Sequence, residues 1–373
     1  MKKKVLIIGG GFAGCASAHL FGKATQAFDV TLVEAAPVLG GGVRTQYYAG
    51  HPYTFGPRHF LTGKQWIFDY LNEIVPLRLC DEHEFVSYVK SDEQFYSYPI
   101  HEDDIQRMPE AQQIRSELEA ARHQGVGEPA NLEEYWLRSV GPTLYQKFIN
   151  AYSKKMWLLD DNRLIDDFAW SPKGVAIKSG PRAAWDTAIS AYPLAHDGYN
   201  KFFDSIPSNV ELLLNCKADF VDPDNKRFGL NSEIRQFDIV VNTISPDIVF
   251  GERYGRLEFV GRDLDLLVIP QEFVLPGNVY FAYYTQDEPY TRITEYKKFT
   301  RYKSDTSLIS VEKPSRNGRH YPMPFKSAYA VAEKYFDDMP DGFFSIGRAG
   351  SYLYRVDIDD CIEQAHDVFE SCK

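Results

Sequence analysis

The glycines at the start of the sequence have a spacing that suits a pyrophosphate, Gly9-x-Gly11-x-x-Gly14. The first glycine permits a tight turn, the second lets backbone N–H groups approach phosphates, and the third allows close packing of a helix on a strand. Glu34 lies twenty residues after Gly14, where its carboxylate can accept hydrogen bonds from ribose hydroxyls. The pattern predicts a dinucleotide site, and its contacts at the turn are Gly9, Gly11, Phe12, Ala13 and Gly14.

A second pair of glycines, Gly40 and Gly41, begins six residues after Glu34. A carboxylate followed by such a pair is common in oxidase-like flavoproteins, so the pattern favours FAD over NAD. A carboxylate that binds ribose hydroxyls also disfavours a 2′-phosphate, and hence NADP. We therefore predict that Glu34, Gly40 and Gly41 contribute to an FAD site.

The elements around these residues form a βαβ unit at the start of the chain. The run Lys4–Ile8 is typical of a buried parallel strand, a helix extends through Phe21, and Val30–Val33 is a second strand. Near the other end, the apolar run Phe343–Ile346 predicts another strand before Gly347. These patterns predict a discontinuous FAD-binding domain of residues 1–75, completed by about 209–255 and 335–373.

The middle of the chain changes to a helical pattern. Asn131 followed by Glu134 resembles a capping box, and Gly141-Pro142 ends that helix and lets a new one begin. Residues 102–195 are therefore predicted to form a helical substrate domain, with a mobile loop at about 160–183 where Asp, Lys, Gly and Pro are mixed. After about residue 209, β-like runs dominate.

The composition argues against several classes of function. A net charge of −11 disfavours nucleic-acid and anionic-membrane surfaces, because such partners attract basic patches. No apolar stretch approaches the roughly 20 residues of a membrane span, and the N-terminus lacks a signal-peptide pattern, which predicts a cytoplasmic protein without membrane insertion. The five cysteines are scattered without CxxC spacing, which predicts reduced thiols and no metal site.

Four separated segments together resemble the UDP-galactopyranose mutase family over most of the chain. They are residues 34–41 with 56–60, residues 131–157, residues 290–297 with 321–322, and residues 347–359. The resemblance implies an α/β fold with a Rossmann-like FAD-binding domain, an inserted helical domain and a twisted antiparallel sheet domain. The sheet domain would comprise residues 76–101 plus 256–334, and the active site would lie in the cleft between the domains.

The resemblance also implies an isomerase that interconverts the pyranose and furanose forms of a nucleotide-diphosphate sugar. Reduced FAD attacks the anomeric carbon through N5 and displaces the nucleoside diphosphate. The flavin–sugar adduct lets the ring open and reclose through a different hydroxyl, after which the diphosphate returns with no net redox change. The implied partners are the sugar nucleotide, an external reductant such as NAD(P)H or a flavin reductase system, and a second copy in a homodimer.

The resemblance assigns roles to individual residues as well. The implied catalytic arginines are Arg182 and Arg292, whose guanidinium groups suit the oxygens of the diphosphate, and Arg348, which fits a position next to the flavin and the sugar. Arg58 is a fourth catalytic candidate, at a position where the chain differs from the family. The implied substrate-binding aromatics, which stack on the nucleobase or contact the phosphates, are Phe148, Tyr152, Trp157, Tyr192, Tyr321 and Tyr354. The implied additions to the cofactor site are Gly347, Arg348 and Asp357.

The chain departs from the family at Arg58, where the usual residue is a histidine. An arginine brings a permanent charge and five donors toward the flavin and the sugar. Our hypothesis is that Arg58 binds a substituent such as an acetamido carbonyl. The candidate substrates are therefore UDP-galactose and variants such as UDP-N-acetylgalactosamine or dTDP-fucose.

The main alternative is an FAD-dependent oxidoreductase of the amine-oxidase type, which shares the N-terminal signals. Such an enzyme would bind an apolar or amine substrate and would need no arginine clamp. Arg292, Arg182 and the helical insertion at 102–160 favour the mutase.

Overall fold

The computed structural model describes residues 1–171, 176–185 and 188–373. Residues 172–175, which belong to the predicted mobile loop at 160–183, lie outside the described residues. Other parts of that predicted loop form a short 3-10 turn, Asn162–Leu164, and a strand, Ile177–Lys178.

The strands number 22 in the described part of the chain. They are β1 Lys3–Ile8, β2 Phe28–Val33, β3 Gln46–Tyr48, β4 His51–Tyr53, β5 Phe60–Thr62, β6 Leu77–Leu79, β7 Glu84–Val89, β8 Gln94–Tyr98, β9 Ile100–His101, β10 Ile177–Lys178, β11 Ile189–Pro193, β12 Glu211–Leu213, β13 Phe220–Asp222, β14 Arg227–Leu230, β15 Glu233–Gln236, β16 Ile239–Asn242, β17 Phe259–Ile269, β18 Val279–Tyr284, β19 Arg292–Glu295, β20 Ser307–Ser315, β21 Tyr321–Pro322 and β22 Phe343–Ser345.

The α-helices of the same residues number 12. They are α1 Phe12–Lys23, α2 Gln65–Ile74, α3 Glu102–Ile105, α4 Ala111–Gln124, α5 Leu132–Tyr145, α6 Ala151–Trp157, α7 Asn200–Asp204, α8 Pro246–Val249, α9 Tyr296–Thr300, α10 Lys326–Asp337, α11 Gly347–Gly350 and α12 Ile358–Cys372. A π-helical turn, Gln146–Asn150, joins α5 to α6.

A five-stranded parallel sheet in the order β12-β2-β1-β16-β22 forms the Rossmann-like part of the fold. Val5, Leu6 and Ile7 in its central strand are fully buried, as expected of a parallel strand covered on both faces. Since all five strands run in one direction, their carboxyl ends meet at one edge of the sheet. That edge carries Gly9 after β1 and Glu34 after β2.

A seven-stranded sheet in the order β21-β17-β20-β19-β18-β7-β8 forms a second layer. Its pairings are antiparallel except that β7 and β18 run parallel. The sheet is therefore mixed where the sequence predicted an antiparallel one. The parallel pair joins two segments separated by the helical insertion and the Rossmann strands between them, and so long a connection permits either direction.

The helical region begins as the sequence predicted. The Asn131 side chain accepts a hydrogen bond from the Glu134 N–H (3.0 Å), whereas Glu134 accepts from the Ala130 N–H (3.2 Å). Gly141 interrupts α5 with left-handed dihedral angles (φ 82°), and a second helical segment starts at Pro142. The kink turns the chain toward the π-helical turn, which carries Phe148.

The strands of the two large sheets fall inside the predicted domain ranges. A small antiparallel sheet, β5-β11-β6, joins segments assigned to all three predicted domains. Backbone hydrogen bonds therefore connect segments of all three predicted domains. The division of the chain into these domains stays a prediction.

Candidate active site

A cleft of about 630 Å³ opens between the helical region, the seven-stranded sheet and the start of α12. Its lining includes many of the residues that the sequence predicted. They are Arg58, Phe148, Tyr152, Arg292, Tyr321, Arg348, Tyr354 and Asp357.

The turn from Gly9 to Gly14 presents backbone donors at the N-terminus of α1. Gly11 is the N-cap and has no side chain to accept hydrogen bonds from the first-turn N–H groups, while the helical ladder starts with Cys15 N–H to Gly11 C=O (3.0 Å). The N–H groups before Cys15 thus have no partner within the helix. A Cβ on Gly14 would lie 1.9 Å from the Gly9 carbonyl oxygen, whereas a Cβ on Gly11 would meet no protein atom within 4 Å. This open space beside helix N–H groups fits a pyrophosphate.

Glu34 is held in place beside this turn. Its two carboxylate oxygens accept hydrogen bonds from the Gly10 N–H and the Ala36 N–H, both at 2.7 Å. Each oxygen keeps a second lone pair, which can accept from a ribose hydroxyl. The residues present therefore fit the ribose and pyrophosphate of a flavin dinucleotide.

The Gly40-Gly41 pair closes over the turn. The Gly40 N–H donates to the Gly10 carbonyl (2.7 Å), and both glycines have positive φ, 110° and 50°. A Cβ on Gly40 would lie 2.7 Å from the ring of Phe203. Only glycine therefore suits position 40, both for its dihedral angles and for the space around it.

Gly347 and Arg348 approach the same edge from β22. Gly347 has φ 76°, and its Cβ would lie 2.9 Å from that of Ala13. Arg348 donates to the Val356 carbonyl (2.9 Å) and to Asp357 (2.6 Å), which also caps α12. The strand end, the helix cap and the guanidinium group are thus fixed to one another at the cleft wall.

One row of side chains crosses the floor of the cleft on four adjacent strands. The pairing register places Ser87, Tyr283, Arg292 and Glu312 side by side on β7, β18, β19 and β20. All four residues line the cleft. The register therefore positions a buried ion pair, Arg292 with Glu312, at the floor of the cleft.

Glu312 is shared by two arginines. Arg292 donates to one carboxylate oxygen, and Arg262 Nε donates to the other at 3.2 Å. Burial alone would raise the pKa of Glu312, but Arg292 and Arg262 outweigh it and lower the pKa below its ordinary value. The carboxylate therefore stays charged and orients both guanidinium groups.

Two guanidinium groups of the cleft have unused donors. The Nε atoms of Arg58 and Arg292 are buried and have no hydrogen-bond partner among the described residues. A buried donor without an acceptor costs about 1–3 kcal/mol, and more when the group is charged. Both donors therefore stay uncompensated in this conformation.

The potential in the cleft is strongly positive at Tyr321. The guanidinium groups of Arg262 and Arg348 lie 4.8 and 5.3 Å from its ring centroid. Burial would raise the pKa of Tyr321, but Arg58, and then Arg262 and Arg292, outweigh burial and Glu312, and the pKa is lowered. An anionic ligand is therefore stabilised here, although the whole chain is acidic.

Aromatic rings line the part of the cleft next to the helical region. Phe148 comes from the π-helical turn and Tyr152 from the first turn of α6, with the Tyr152 ring 5.5 Å from that of Tyr283. The π-helical turn is a local irregularity of the kind often found at functional sites. The flat faces of these rings suit a nucleobase.

Three of the predicted catalytic and substrate-binding residues are not among the described residues that line the cleft. Trp157 is 1% exposed and packs behind the wall, with ring centroids 4.9 Å from Tyr354 and 5.5 Å from Trp170. Tyr192 is 2% exposed among core rings that include Tyr199. The roles assigned to Trp157 and Tyr192 stay predictions, and their burial allows only an indirect contribution in this conformation.

Arg182 is the third. It pairs with the buried Asp104 (3.0 Å) and donates to Ser97, and its side chain is 38% exposed. In this arrangement its guanidinium group is occupied by protein acceptors. A role on the diphosphate requires that Arg182 leave Asp104, and it stays a prediction.

Sequence reasoning missed Arg262, Glu312 and Asp359, all of which line the cleft. Arg262 is 3% exposed and Glu312 5% exposed, so each is a buried charged residue within a strand of the sheet. A charge within a predicted strand is a signal for a paired or functional group. Nothing in the sequence, however, indicates that residues 50 positions apart share an ion pair.

Asp359 supplies a carboxyl group whose charge is sensitive to pH. Burial first, and then the neighbouring Asp360, raises its pKa to about 6 from an ordinary 3.8. Because the folded-state pKa lies above the ordinary value, the folded state binds the proton more tightly than the unfolded state. The ionised form therefore destabilises the fold, an effect absent below about pH 4 and complete above about pH 6.

We expect Asp359→Asn to raise the free energy of unfolding at pH 7 by on the order of 1 kcal/mol, less than the full pKa shift implies because the side chain keeps some solvent contact. Near pH 4 the gain should vanish. Urea unfolding at both pH values measures this, with Asp367→Asn, an exposed position of α12, as control. An equal effect at the two pH values would contradict the assignment.

The described residues offer neither a metal centre nor a membrane-spanning helix. No cluster of three or more His, Cys, Asp or Glu side chains is arranged to hold a metal ion. No helix in the same residues has the length and apolar character that crossing a bilayer requires.

Family models and curated relatives show which family this chain resembles. A family model described as UDP-galactopyranose mutase matches residues 147–354, more than half of the chain, and one for an NAD(P)-binding Rossmann-like domain matches residues 7–74. The chain is 24% identical to a "probable UDP-galactopyranose mutase" of Klebsiella pneumoniae (97% of this chain, 93% of that protein). It is also 24% identical to the dTDP-fucopyranose mutase of Escherichia coli (97% and 96%).

Solved structures give the same fold. The crystal structure of a reduced UDP-galactopyranose mutase superposes with a TM-score of 0.83 at 16% identity, covering 99% of this chain and 93% of that one. A putrescine oxidase superposes less well, with a TM-score of 0.62 at 13% identity, covering 100% and 99%. The resemblance and the fold class inferred from the sequence are thereby confirmed, and the amine-oxidase type is a distant relative. The chain belongs to the UDP-galactopyranose mutase family.

Proposed function

We propose that the protein binds FAD at the Gly9–Gly14 turn and, with the cofactor reduced, interconverts the pyranose and furanose rings of a nucleotide-diphosphate sugar in the cleft. The family makes the chain a nucleotide-sugar mutase, an isomerase with a flavin cofactor. When bound, reduced flavin supplies a nucleophilic nitrogen, N5, for the anomeric carbon. The sugar, the nucleobase and the reduced state of the flavin are parts of the proposal.

The observation that carries the proposal is a set of arginines that line the cleft, including Arg58, Arg262, Arg292 and Arg348. Their guanidinium groups suit the anionic oxygens of a diphosphate, and the positive potential at Tyr321 favours the same charge. As the bond between the anomeric carbon and the diphosphate breaks, negative charge grows on the leaving oxygen. Arg292, held by Glu312, is preorganised to stabilise that charge.

The aromatic part of the cleft positions the rest of the substrate. We infer that the nucleobase stacks on Tyr152 and Phe148, since both line the cleft on the helical side. The sugar then lies between this wall and Arg348, which is anchored by Asp357. Fixing the diphosphate and the base at separate contacts restricts the anomeric carbon to one position, which lowers the entropic cost of the attack.

A mutase and an oxidase differ in what they consume. The mutase should act with reduced protein under strictly anaerobic conditions and should use no stoichiometric oxidant. An amine oxidase should consume one oxygen molecule per turnover of an amine and release peroxide. Oxygen uptake by the flavin-loaded protein with a panel of amines, together with no ring isomerisation of sugar nucleotides by the reduced protein, would overturn the proposal.

Arg58 is proposed to set the preference for the sugar. It lines the cleft where relatives usually have a histidine, and its charge acts on Tyr321 and Glu312. We expect Arg58→His to reduce kcat/KM for UDP-N-acetylgalactosamine relative to UDP-galactose by at least about tenfold, the loss of one charged hydrogen bond. Turnover of UDP-galactose, UDP-N-acetylgalactosamine and dTDP-fucose by both forms measures the change. If the wild type prefers UDP-galactose and Arg58→His keeps that preference, Arg58 does not set the preference for the sugar.

We further propose that the protein works in the cytoplasm as a homodimer and receives electrons from an external reductant such as NAD(P)H or a flavin reductase. All five cysteines are free and buried, which fits a reducing compartment.

A further inference from the structure

A second cavity, of about 680 Å³, shares no lining residue with the cleft. Its walls are residues 272–278, Tyr280, two residues of α9 and residues 301–303. This volume lies in the range of pockets that hold small organic ligands. The cavity is as large as the cleft itself and is not used by the proposed reaction.

The lining of this cavity is basic. Its cationic side chains are Lys297, Lys298, Arg301 and Lys303, and among the described lining residues Glu272 is the only acid. The whole chain has a net charge of −11. A local excess of positive charge in an acidic protein marks a place where anions concentrate.

Two of the cations are buried without a salt bridge. Lys297 is 5% exposed and Lys298 9% exposed, and no carboxylate of the described residues lies within 4.0 Å of either ammonium. Lys297 Nζ donates to the carbonyls of Glu272 (2.7 Å) and Ser304 (2.5 Å). Lys298 Nζ donates to the carbonyl of Gly277 (2.6 Å), which leaves donors of its ammonium for another acceptor.

Glu295, the carboxylate nearest in sequence to these two lysines, is hydrogen-bonded to other groups. Glu295 accepts hydrogen bonds from the Val274 N–H (2.9 Å), the Leu275 N–H (2.8 Å) and the Ser307 hydroxyl (2.5 Å). It therefore fixes the loop that forms one wall of the cavity. Burial lowers the pKa of both Lys297 and Lys298, and the carboxylates around them, Glu295 included, reduce that effect without cancelling it.

The aromatic ring of Phe273 lies next to these two lysines. Phe273 is 48% exposed, and its ring centroid lies 4.5 Å from Lys298 Nζ and 5.2 Å from Lys297 Nζ. An exposed ring beside cations suits a ligand with both a planar group and negative charge. Arg301 and Lys303 lie at the rim, where Arg301 also pairs with Glu82 at 2.5 Å.

We propose that this cavity binds a nucleotide, with its phosphates on Lys298, Arg301 and Lys303 and its base against Phe273. The shared chemistry, a planar base that carries phosphates, fits two sources. One is the nucleoside diphosphate part of the substrate, and the other is a nicotinamide dinucleotide that delivers electrons. Since α9 continues directly from β19, the site lies on the same segment as Arg292.

The test uses the flavin-loaded protein and calorimetric titration with UDP and with NADPH. Lys303→Glu and Phe273→Ala change exposed side chains, so the fold should be kept. Lys217→Glu makes the same charge change at an exposed position outside the lining of the cavity, and it serves as the control. Each variant is also combined with Arg292→Ala, which weakens nucleotide binding in the cleft, so that the second site accounts for a larger share of the measured binding.

We expect Lys303→Glu and Phe273→Ala each to raise the Kd of one of the two nucleotides at least about tenfold relative to Lys217→Glu. If NADPH is affected, the rate of flavin reduction should fall in parallel, and the dinucleotide is the ligand. If UDP is affected and flavin reduction is unchanged, the nucleoside diphosphate is the ligand. Affinities for both nucleotides that match those of Lys217→Glu would overturn the proposal.

Discussion

Replacing Arg292 by alanine is expected to lower kcat/KM for the sugar nucleotide by roughly 10²–10³-fold, the usual effect of removing one preorganised donor from a developing anion. The substitution removes a guanidinium group from the lining of the cleft and leaves Glu312 with Arg262 as its remaining arginine partner among the described residues. The free energy of unfolding should therefore also fall, by about 3 kcal/mol, because the buried Glu312 carboxylate loses one of the two arginines that offset its desolvation. Steady-state kinetics with the reduced protein and urea unfolding measure the two effects.

The matched control is Arg292→Lys, which keeps a positive charge near Glu312 but loses the planar fork. We expect it to recover most of the stability while kcat/KM stays well below that of the wild type, since a lysine cannot hold the carboxylate and a phosphate bidentately at once. Wild-type kcat/KM in Arg292→Ala, together with reduced stability, would show that Arg292 is a structural residue only.

Replacing Gly11 by alanine is expected to weaken FAD binding more than about 100-fold while leaving the stability of the apoprotein within about 0.5 kcal/mol of the wild type. The dihedral angles of Gly11, φ −73° and ψ −170°, are allowed for alanine, and the new Cβ would meet no protein atom within 4 Å. The methyl group would instead fill the space that the pyrophosphate needs. Flavin titration of the apoprotein, followed by absorbance, measures the affinity.

Gly14→Ala provides the contrast for that experiment. Its Cβ would lie 1.9 Å from the Gly9 carbonyl oxygen, so the backbone itself must move. We expect this variant to lose stability as well as flavin. Normal flavin binding by Gly11→Ala would mean that the dinucleotide does not lie against this turn.

The parts of the site that depend on local sequence could be predicted directly. The turn of residues 9–14 is specified by glycine spacing between a strand and a helix, and Glu34 follows at the end of the next strand. The kink at Gly141-Pro142 is likewise a local effect of two residues with restricted or unusual dihedral angles. These predictions need only the chain within about 25 residues.

The remaining parts depend on contacts that a single sequence does not display. Arg262 and Glu312 meet because β17 and β20 pair in one particular register, and a shift by one residue would turn the side chains to the other face. The burial of Tyr192 depends in part on packing against Phe299 of α9, which is distant in the sequence. The parallel pairing of β7 with β18 depends in the same way on the long connection between them.

The most direct test of the central claim is to incubate the chemically reduced, flavin-loaded protein anaerobically with UDP-galactose, UDP-N-acetylgalactosamine and dTDP-fucose, and to look for a ring isomer by NMR. The account predicts that the furanose form of at least one sugar nucleotide accumulates to equilibrium with no net oxidation, and that oxidised protein gives none. It would be contradicted if the reduced protein left all three sugar nucleotides unchanged, or if oxidised and reduced protein were equally active.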